Sequence, residues 1–356
     1  MAEMDGLLHP CFWHFICCTT LQCKQLYLFS ILNMNKDFKN IIHKCSLFLI
    51  PILVWIAVLT IVDPFNYFSS NSFISEISKE KTAKKFNSLL YNTLSFKNNP
   101  TQNIIIGDSR IKRLPVDSIK KISGDDYFIM HSNAAKLNEM IDLFWFTNKY
   151  SKLKNVIIGI NFNLYNEFAY ANRVNEIVEM TKNPLLYIFN GNVLEITFKT
   201  INHHFSNIAV PNIKRNIMLK KELNGKSYKD KKVWWDYNIK NVAKNQYSKY
   251  KYPKKIKERL KEVNNYCEDN DINLIFLNVP HNVEFSARKK DYNLTEAEKK
   301  YKKDISKFGT VIDYDFPNQI TNCKQCFTDP IHTNDSISLI MVKEIFTDSL
   351  KIGKKL

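Results

Sequence analysis

Three residues that lie far apart in the sequence form a set that could catalyse acyl transfer. Ser109 ends the run Ile-Gly-Asp-Ser, and Asp329 precedes His332 by three positions. A serine hydroxyl becomes a nucleophile when an imidazole accepts its proton and a carboxylate orients that imidazole. We therefore expect Ser109 to attack, His332 to act as the base and Asp329 to orient it. The alternatives are a helix-capping role for Ser109 and a plain surface position for His332.

Acyl transfer also needs hydrogen-bond donors for the oxyanion that forms on the attacked carbonyl. The expected donors are the backbone N–H groups of Ser109 and Ala134 and the side chain of Asn161, for which Asn163 is the competitor. Three positions near the same sheet edge are candidate substrate contacts: Arg110, Asn163 and His281. For Arg110 a solvated salt bridge is the alternative.

The hydrophobic pattern shows which elements must position these residues. Five short apolar runs, each ending in polar or turn residues, occupy residues 103–107, 127–131, 155–160, 273–279 and 310–314. Such continuous runs are typical of strands buried on both faces of a parallel sheet. Helical patterns occupy residues 137–149, 253–269, 295–307 and 336–352. The alternation predicts an α/β fold, a three-layer α/β/α sandwich with a five-stranded parallel sheet, which binds ligands at the carboxyl ends of its strands.

A long segment, residues 162–272, separates the third and fourth predicted strands. It is too long for a loop in a compact domain, so we expect a mostly helical insertion above the sheet. Within it, the adjacent Trp234 and Trp235 could form an exposed platform for a substrate. The alternative is that both indoles belong to the core of the insertion.

The N-terminal region contains a candidate membrane helix. Residues 45–62 have no charged side chain and would form a helix about 27 Å long, enough to cross the hydrocarbon core of a bilayer. Lysines precede this segment closely but follow it only at Lys79, which predicts a cytoplasmic N-terminus and an extracytoplasmic remainder. An uncleaved signal sequence and a buried core helix are the alternatives.

These features divide the chain into four expected parts: a cytoplasmic leader at 1–44, a transmembrane helix at 45–62, a polar stalk at 63–100 and the α/β domain at 101–356. Within the leader, residues 1–33 are apolar and cysteine-rich, unlike the rest of the chain. We interpret them as upstream translation or a poorly structured extension, with Met34 as a natural start. The alternative is a first, weak membrane hairpin.

Composition narrows the expected partners. The formal net charge is +16, from 51 lysines and arginines against 35 aspartates and glutamates, and most of the cations are lysine. Surfaces that read nucleic acid favour arginine, so we expect anionic polymers or lipid head groups rather than nucleic acid.

Cys323 and Cys326 form a lone CxxC pair. A zinc site would need further ligands at suitable spacing, so the pair is weak support for a metal. Outside the cytoplasm a local disulfide is favoured over unpaired thiols. We expect neither a metal nor a cofactor in this protein.

The motifs resemble those of the SGNH (GDSL-type) hydrolase superfamily. Its first block, a strand ending in Gly-Asp-Ser, is matched at residues 104–109, and its last block, Asp-x-x-His, at residues 329–332. The resemblance covers roughly residues 101–165 and 270–352. It implies a flavodoxin-like sheet of the SGNH type, with Ser109, His332 and Asp329 as the triad.

Two blocks depart from the family pattern. The third block, Gly-x-Asn-Asp, is matched in part by Gly159 and Asn161, with Phe162 where the aspartate would stand. The glycine of the second block is absent, and residues 133–135 take its place. A backbone N–H at that position could still serve the oxyanion.

A predicted membrane anchor and the late motif Asp-x-x-His-x-Asn make the chain similar to a membrane-anchored subset, the alginate O-acetylation proteins and the D-alanyl-lipoteichoic acid biosynthesis protein. This resemblance implies an O-acetyltransferase or esterase that acts on cell-envelope polysaccharide or an acylated glycan, beside a membrane-bound O-acyltransferase. The competing hypothesis is a non-catalytic envelope protein that uses the same fold for polymer binding or assembly. The absent glycine of the second block and Phe162 in the third block favour this hypothesis.

Overall fold

The computed structural model describes residues 36–68, 73–206 and 229–356. The interpretation of residues 1–33 and Met34 lies outside these ranges. The strands are β1 (Asn103–Gly107), β2 (Tyr127–His131), β3 (Asn155–Ile160), β4 (Asn273–Asn278), β5 (Thr310–Asp313), β6 (Phe327–Asp329), β7 (His332–Thr333) and β8 (Lys354–Lys355). The α-helices are α1 (Lys36–Leu47), α2 (Leu49–Val62), α3 (Glu76–Lys79), α4 (Ser88–Asn98), α5 (Val116–Ser123), α6 (Leu137–Tyr150), α7 (Arg173–Lys182), α8 (Pro184–Ile188), α9 (Gly191–Ser206), α10 (Lys231–Tyr237), α11 (Ala243–Tyr247), α12 (Lys254–Asp269), α13 (Val283–Ala287), α14 (Thr295–Ile305) and α15 (Asp335–Phe346).

Six strands form the main sheet, in the order β2-β1-β3-β4-β5-β8. The first five are parallel to one another, which confirms the mixed α/β fold and the five predicted strands. The sixth strand, β8, is antiparallel to β5, so the prediction of a purely parallel five-stranded sheet was incomplete. Its two lysines are exposed and show no apolar run that would indicate a strand.

The return of the chain to β8 also shortens the last helix. The pattern predicted a helix to residue 352, but α15 ends at Phe346. Beyond it, the backbone N–H groups of Ile352 and Gly353 donate to the Glu344 carboxylate, at 3.0 and 3.1 Å. This carboxylate therefore holds the turn that places β8 beside β5.

The central strands β1, β3, β4 and β5 are mostly buried, as their continuous apolar runs predicted, whereas the edge strand β2 is half-buried apart from Met130. Ile105, Ile157 and Leu277 belong to a core that includes residues of α5 and α15. Because side chains alternate along a strand, Ile104 and Ile158 point to the opposite face, and α6 and α12 contact the sheet at β1 and β4. Complete burial of each such side chain stabilises the fold by roughly 1.5–3 kcal/mol before the entropy cost of ordering it.

Residues 63–100 are not the separate stalk that their polar composition predicted. Helix α4 packs against β2, where the ring centroids of Phe96 and Phe128 lie 5.3 Å apart. The Asn92 side chain donates to the His131 carbonyl at 2.8 Å. Leu94 is buried. The few apolar residues of this segment fold onto the domain, so residues 59–356 form one compact unit.

The described parts of the insertion are mostly helical, as predicted, and include helices α7 to α12. Trp235 is 6% exposed and donates from Nε1 to Glu284 at 2.7 Å. It belongs to the protein core, so the exposed platform predicted for this pair is wrong for Trp235. Trp234 is half-buried and its ring stacks on Tyr237.

The N-terminal helices α1 and α2 include one stretch, Phe38–Val62, that is long and apolar enough to cross a membrane. The regular helix is interrupted between Leu47 and Leu49. Pro51 explains this break, because its nitrogen has no proton to donate to the carbonyl of Leu47.

Candidate active site

The structure brings Ser109, His332 and Asp329 together at the carboxyl end of the parallel sheet. Ser109 follows β1 directly, while Asp329 ends β6 and His332 begins β7 of a short hairpin. The Ser109 Oγ lies 2.8 Å from Nε2 of His332. Nδ1 of the same ring lies 2.9 and 2.8 Å from the two carboxylate oxygens of Asp329. The three side chains thus form one continuous hydrogen-bonded series.

Backbone groups of the β6–β7 hairpin determine which atoms donate and which accept in the hydrogen bonds of this series. The backbone N–H groups of Ile331 and His332 donate to Oδ1 of Asp329, at 2.9 and 3.1 Å. Burial would raise the pKa of Asp329, but these donors and the imidazole outweigh it and lower that pKa. The ionised carboxylate can only accept, so Nδ1 holds the ring proton and Nε2 accepts from the Ser109 hydroxyl. This is the tautomer that a general base requires.

The helix-capping alternative for Ser109 is not what the structure shows. The turn after β1 enters a short 3₁₀ helix, Ile111–Arg113, whose N-cap is Arg110 and has no side-chain capping bond. The Ser109 hydroxyl is directed at His332 instead. The His332 side chain is 27% exposed, which leaves it accessible from solvent beside the serine.

Two of the three predicted oxyanion donors are backbone N–H groups, those of Ser109 and Ala134. In the part of the chain that the structure describes, neither the N–H of Ser109 nor that of Ala134 donates to another protein group. Ala134 has φ +54°, in the left-handed region that favours glycine. Ala134 therefore adopts a glycine-like backbone conformation at the position where the resemblance leads us to expect a glycine.

This conformation makes a test of stability possible at Ala134. The change Ala134→Gly is expected to raise the free energy of unfolding by about 0.5–1 kcal/mol, because it removes strain of about 1–2 kcal/mol that the entropy of glycine only partly offsets. Ala135→Gly is the matched control, since Ala135 is fully buried and its φ is not positive. Ala135→Gly should lower the free energy of unfolding, and denaturant unfolding gives the value for both variants. Equal losses for both variants would contradict the strain argument.

The third predicted oxyanion donor, Asn161, is engaged elsewhere. Its side chain is fully buried, and Nδ2 donates to the Val279 carbonyl at 2.6 Å. Its Oδ1 has no hydrogen-bond partner among the described residues. Asn163, the competitor, accepts from Arg110 through Oδ1 at 3.4 Å, which directs its Nδ2 away from that arginine. Nδ2 of Asn163 is therefore a better candidate for the oxyanion donor than Nδ2 of Asn161.

Arg110 lies inside the protein beside the nucleophile. Its Nε donates to both carboxylate oxygens of Asp108 at 2.9 and 3.0 Å, and Nη2 donates to Oδ2 at 2.7 Å. Its Nη1 reaches Nε2 of His281 at 2.9 Å, and Nδ1 of that ring lies 3.1 Å from Asp315. The Arg110 side chain is 3% exposed. The solvated salt bridge is therefore wrong, and Arg110 has no solvent-facing group for the predicted substrate contact.

The protonation of this buried network follows from its donors. A guanidinium only donates, so Nε2 of His281 accepts from Arg110 and Nδ1 donates its proton to Asp315. Burial lowers the pKa of His281, which agrees with a neutral ring. Burial would raise the pKa of Asp315, but the contact with His281 and the charge of Lys289 outweigh it and lower that pKa.

His281 and Asp315 form a second Asp–His pair that the sequence reasoning missed. The predicted substrate contact of His281 is blocked, because the residue is 1% exposed and both of its ring nitrogens are hydrogen-bonded. Asp315 follows β5 at the same sheet edge as the other polar residues, and that position was the available signal. The pair supports Arg110, which in turn holds Asp108 next to the nucleophile.

Phe162, the departure from the third family block, has a packing role. Its ring lies 4.8 Å from Tyr250 and 6.3 Å from Tyr247, both contributed by the insertion. Tyr301 of α14 completes this aromatic cluster at 5.9 Å. Phe162 therefore joins the end of β3 to the insertion.

The CxxC pair forms a disulfide, Cys323–Cys326, as favoured on sequence grounds. It lies immediately before β6, and the Cys326 carbonyl accepts from the N–H of Asn334 at 2.9 Å. The bridge therefore closes the loop at the base of the hairpin that presents Asp329 and His332. Among the described residues no group of three or more His, Cys, Asp or Glu side chains could hold a metal ion.

A cavity of about 250 Å³ opens beside the loop that precedes Ala134. Its polar walls include Ser132, Asn133 and Arg173, and Phe65 contributes to its apolar side. Arg173, from the insertion, donates to the Asn133 carbonyl at 3.1 Å and pairs with Glu139 at 2.6 Å. The insertion thus holds the loop that presents the candidate oxyanion donor.

Comparison with known proteins assigns no family. No protein-family model matches the chain, and no curated protein matches it either. Membership of the SGNH superfamily therefore remains a prediction from the motifs at 104–109 and 329–332.

Proposed function

We propose that this chain is a membrane-anchored, SGNH-like acyl-transfer enzyme that acts on cell-envelope polysaccharide. The observation that supports it most directly is the hydrogen-bonded series from Ser109 Oγ through His332 to Asp329, with links of 2.8 Å on each side of the ring. A hydroxyl, a correctly oriented base and a buried carboxylate are the set that nucleophilic acyl transfer requires.

The proposed reaction proceeds in two halves. Ser109 attacks the ester carbonyl of an acyl donor while its proton passes to Nε2 of His332, and the Asp329 carboxylate stabilises the imidazolium. The tetrahedral oxyanion is held by the N–H groups of Ser109 and Ala134, with the Asn163 amide in place of the Asn161 amide, which is bound to the Val279 carbonyl. Collapse expels the donor alcohol, which takes the proton from His332, and leaves an acyl-serine. No cofactor enters these steps.

The second half decides between two activities. Attack on the acyl-serine by water makes the protein an esterase, whereas attack by a sugar hydroxyl makes it an O-acyltransferase. The apolar stretch Phe38–Val62 supports a membrane anchor. In this proposal the anchor holds the domain at the outer face of the membrane, beside a membrane-bound O-acyltransferase.

A fluorophosphonate probe tests the nucleophile. Its phosphorus is attacked by an activated serine with loss of fluoride, so the wild-type protein should become covalently labelled and Ser109→Ala should not. Ser118→Ala, on α5 away from the triad, is the matched control and should label like the wild type. Intact-mass analysis gives the stoichiometry. An unlabelled wild type, or labelling that survives in Ser109→Ala, would overturn the assignment.

The alternative is a non-catalytic envelope protein that binds polymer or assists assembly on the same fold. One observation favours it: Nδ2 of Asn161 is bound to the Val279 carbonyl rather than directed to an oxyanion. Under this alternative the probe leaves the wild-type protein unmodified, while polysaccharide binding is retained in Ser109→Ala.

A further inference from the structure

The insertion exposes several large apolar side chains on two consecutive helices. Leu185, Leu186 and Phe189 lie on or directly after α8 and are 62%, 50% and 62% exposed, and Leu194 of α9 is 45% exposed. We call these four residues the apolar patch. Large apolar groups exposed together in this way typically mark a surface that contacts another apolar phase.

The opposite side of α9 already has its packing partners. Thr200 hydrogen-bonds to Thr82 at 2.8 Å, and His203 to Ser78 at 3.2 Å. Val193 of the same helix is buried. The helix therefore faces the domain interior with one side and still presents an apolar residue, Leu194, on the other. Among the described residues, packing within the domain thus leaves the four side chains of the patch 45% to 62% exposed.

The patch lies close in the structure to the end of the candidate membrane helix. The chain leaves α2 at Val62, and five residues later the ring of Tyr67 stacks on Tyr187 of α8, with centroids 4.3 Å apart. Phe65 also packs on Tyr187, and the Tyr67 hydroxyl donates to the Met180 carbonyl at 3.1 Å. Helix α8 is thus bound to the segment that emerges from the apolar helix.

We propose that the apolar patch inserts into the interfacial layer of the same bilayer that holds the α2 helix. Leucine and phenylalanine on a short surface helix are typical of interfacial segments, whose apolar faces enter about 5–10 Å into the head-group and acyl boundary. The formal net charge of +16 favours anionic head groups over a zwitterionic surface. This inference rests on the membrane anchor of the proposed function, but not on acyl transfer.

Site-specific photocrosslinking of the full-length protein tests it. The residue p-benzoylphenylalanine is placed in turn at Phe189 in the patch, at Leu53 in the apolar helix and at Ile340 on α15. Leu53 is 62% and Ile340 37% exposed, so all three positions tolerate a large aromatic side chain. The protein is reconstituted in phosphatidylethanolamine–phosphatidylglycerol vesicles and irradiated, and lipid adducts are measured by mass spectrometry. Phe189 should yield at least about tenfold more lipid adduct than Ile340, as expected for an interfacial segment.

Each outcome has a distinct meaning. Adducts at Leu53 and Phe189 with only background at Ile340 support the inference. Adducts at Leu53 with background at Phe189 overturn it and leave the anchor intact. Crosslinks from Phe189 to a second copy of the chain, without lipid, show a protein interface and also overturn it. Absence of adducts at Leu53 removes the anchor and the inference together, while the fluorophosphonate experiment still reports on catalysis.

Discussion

Replacing Ser109 by alanine is expected to lower kcat for ester cleavage by about 10⁴- to 10⁶-fold, with the fold unchanged. The reason is geometric: among the residues that the structure describes, Ser109 supplies the hydroxyl that contacts Nε2 of His332, at 2.8 Å. The same loss is expected for transfer of an acyl group to a glycan acceptor, because both reactions pass through the acyl-serine. Hydrolysis of a short p-nitrophenyl ester by the full-length protein in detergent gives the measurement.

The other triad variants distinguish a catalytic unit from three separate contributions. His332→Ala should cost nearly as much as Ser109→Ala, and the double variant little more, since a serine without its base is already a poor nucleophile. Asp329→Ala should cost about one to two orders of magnitude less, because an unoriented imidazole still accepts a proton part of the time. Additive losses would contradict a triad, and a Ser109→Ala protein with wild-type activity would leave polymer binding as the function.

Much of this site could be predicted because a parallel α/β sheet gathers the carboxyl ends of its strands at one edge. Ser109 follows β1, whereas Asp329 and His332 come after β5, so the rule places all three at one edge of the sheet, and the β6–β7 hairpin brings the pair to the serine. The apolar runs also predicted the five strands, because a strand buried on both faces needs no polar alternation. These inferences depend on local pattern and on one topological rule.

What could not be predicted depends on contacts between distant residues. Nothing in the types of Arg110 and His281 shows that they face each other at 2.9 Å, since the contact requires the register of β1 with β3 and of β3 with β4. The left-handed backbone of Ala134 is equally hidden, because alanine is not the residue that such a conformation favours. Strand β8 consists of two lysines, and only the turn held by Glu344 brings it to the sheet.

The second large effect is expected for the buried ion pair beside the nucleophile. Arg110→Met should lower the free energy of unfolding by about 3–5 kcal/mol, because it leaves the buried Asp108 carboxylate without its partner. Arg113→Met is the matched control. Arg113 pairs at 3.2 Å with Asp335, which is 88% exposed, so its loss should cost under about 1 kcal/mol. Denaturant unfolding of the full-length proteins in detergent at neutral pH gives both values.

The pH dependence of the Arg110→Met effect identifies its cause. Burial would raise the pKa of Asp108, but the Arg110 guanidinium lowers it below its ordinary range. A carboxyl with a lowered folded-state pKa stabilises the protein above its unfolded pKa, and this stability is lost as the pH falls through the folded value. Without Arg110, burial acts alone and the ionised Asp108 becomes a cost at neutral pH. The difference between wild type and Arg110→Met should therefore shrink as the pH falls from neutral through the raised folded-state pKa that burial gives Asp108 in the variant. Adding Asp108→Asn to Arg110→Met should recover part of the loss at neutral pH by removing the unpaired charge. A loss equal to that of Arg113→Met, or one that does not change with pH, would show that the buried pair is not what holds the turn after β1.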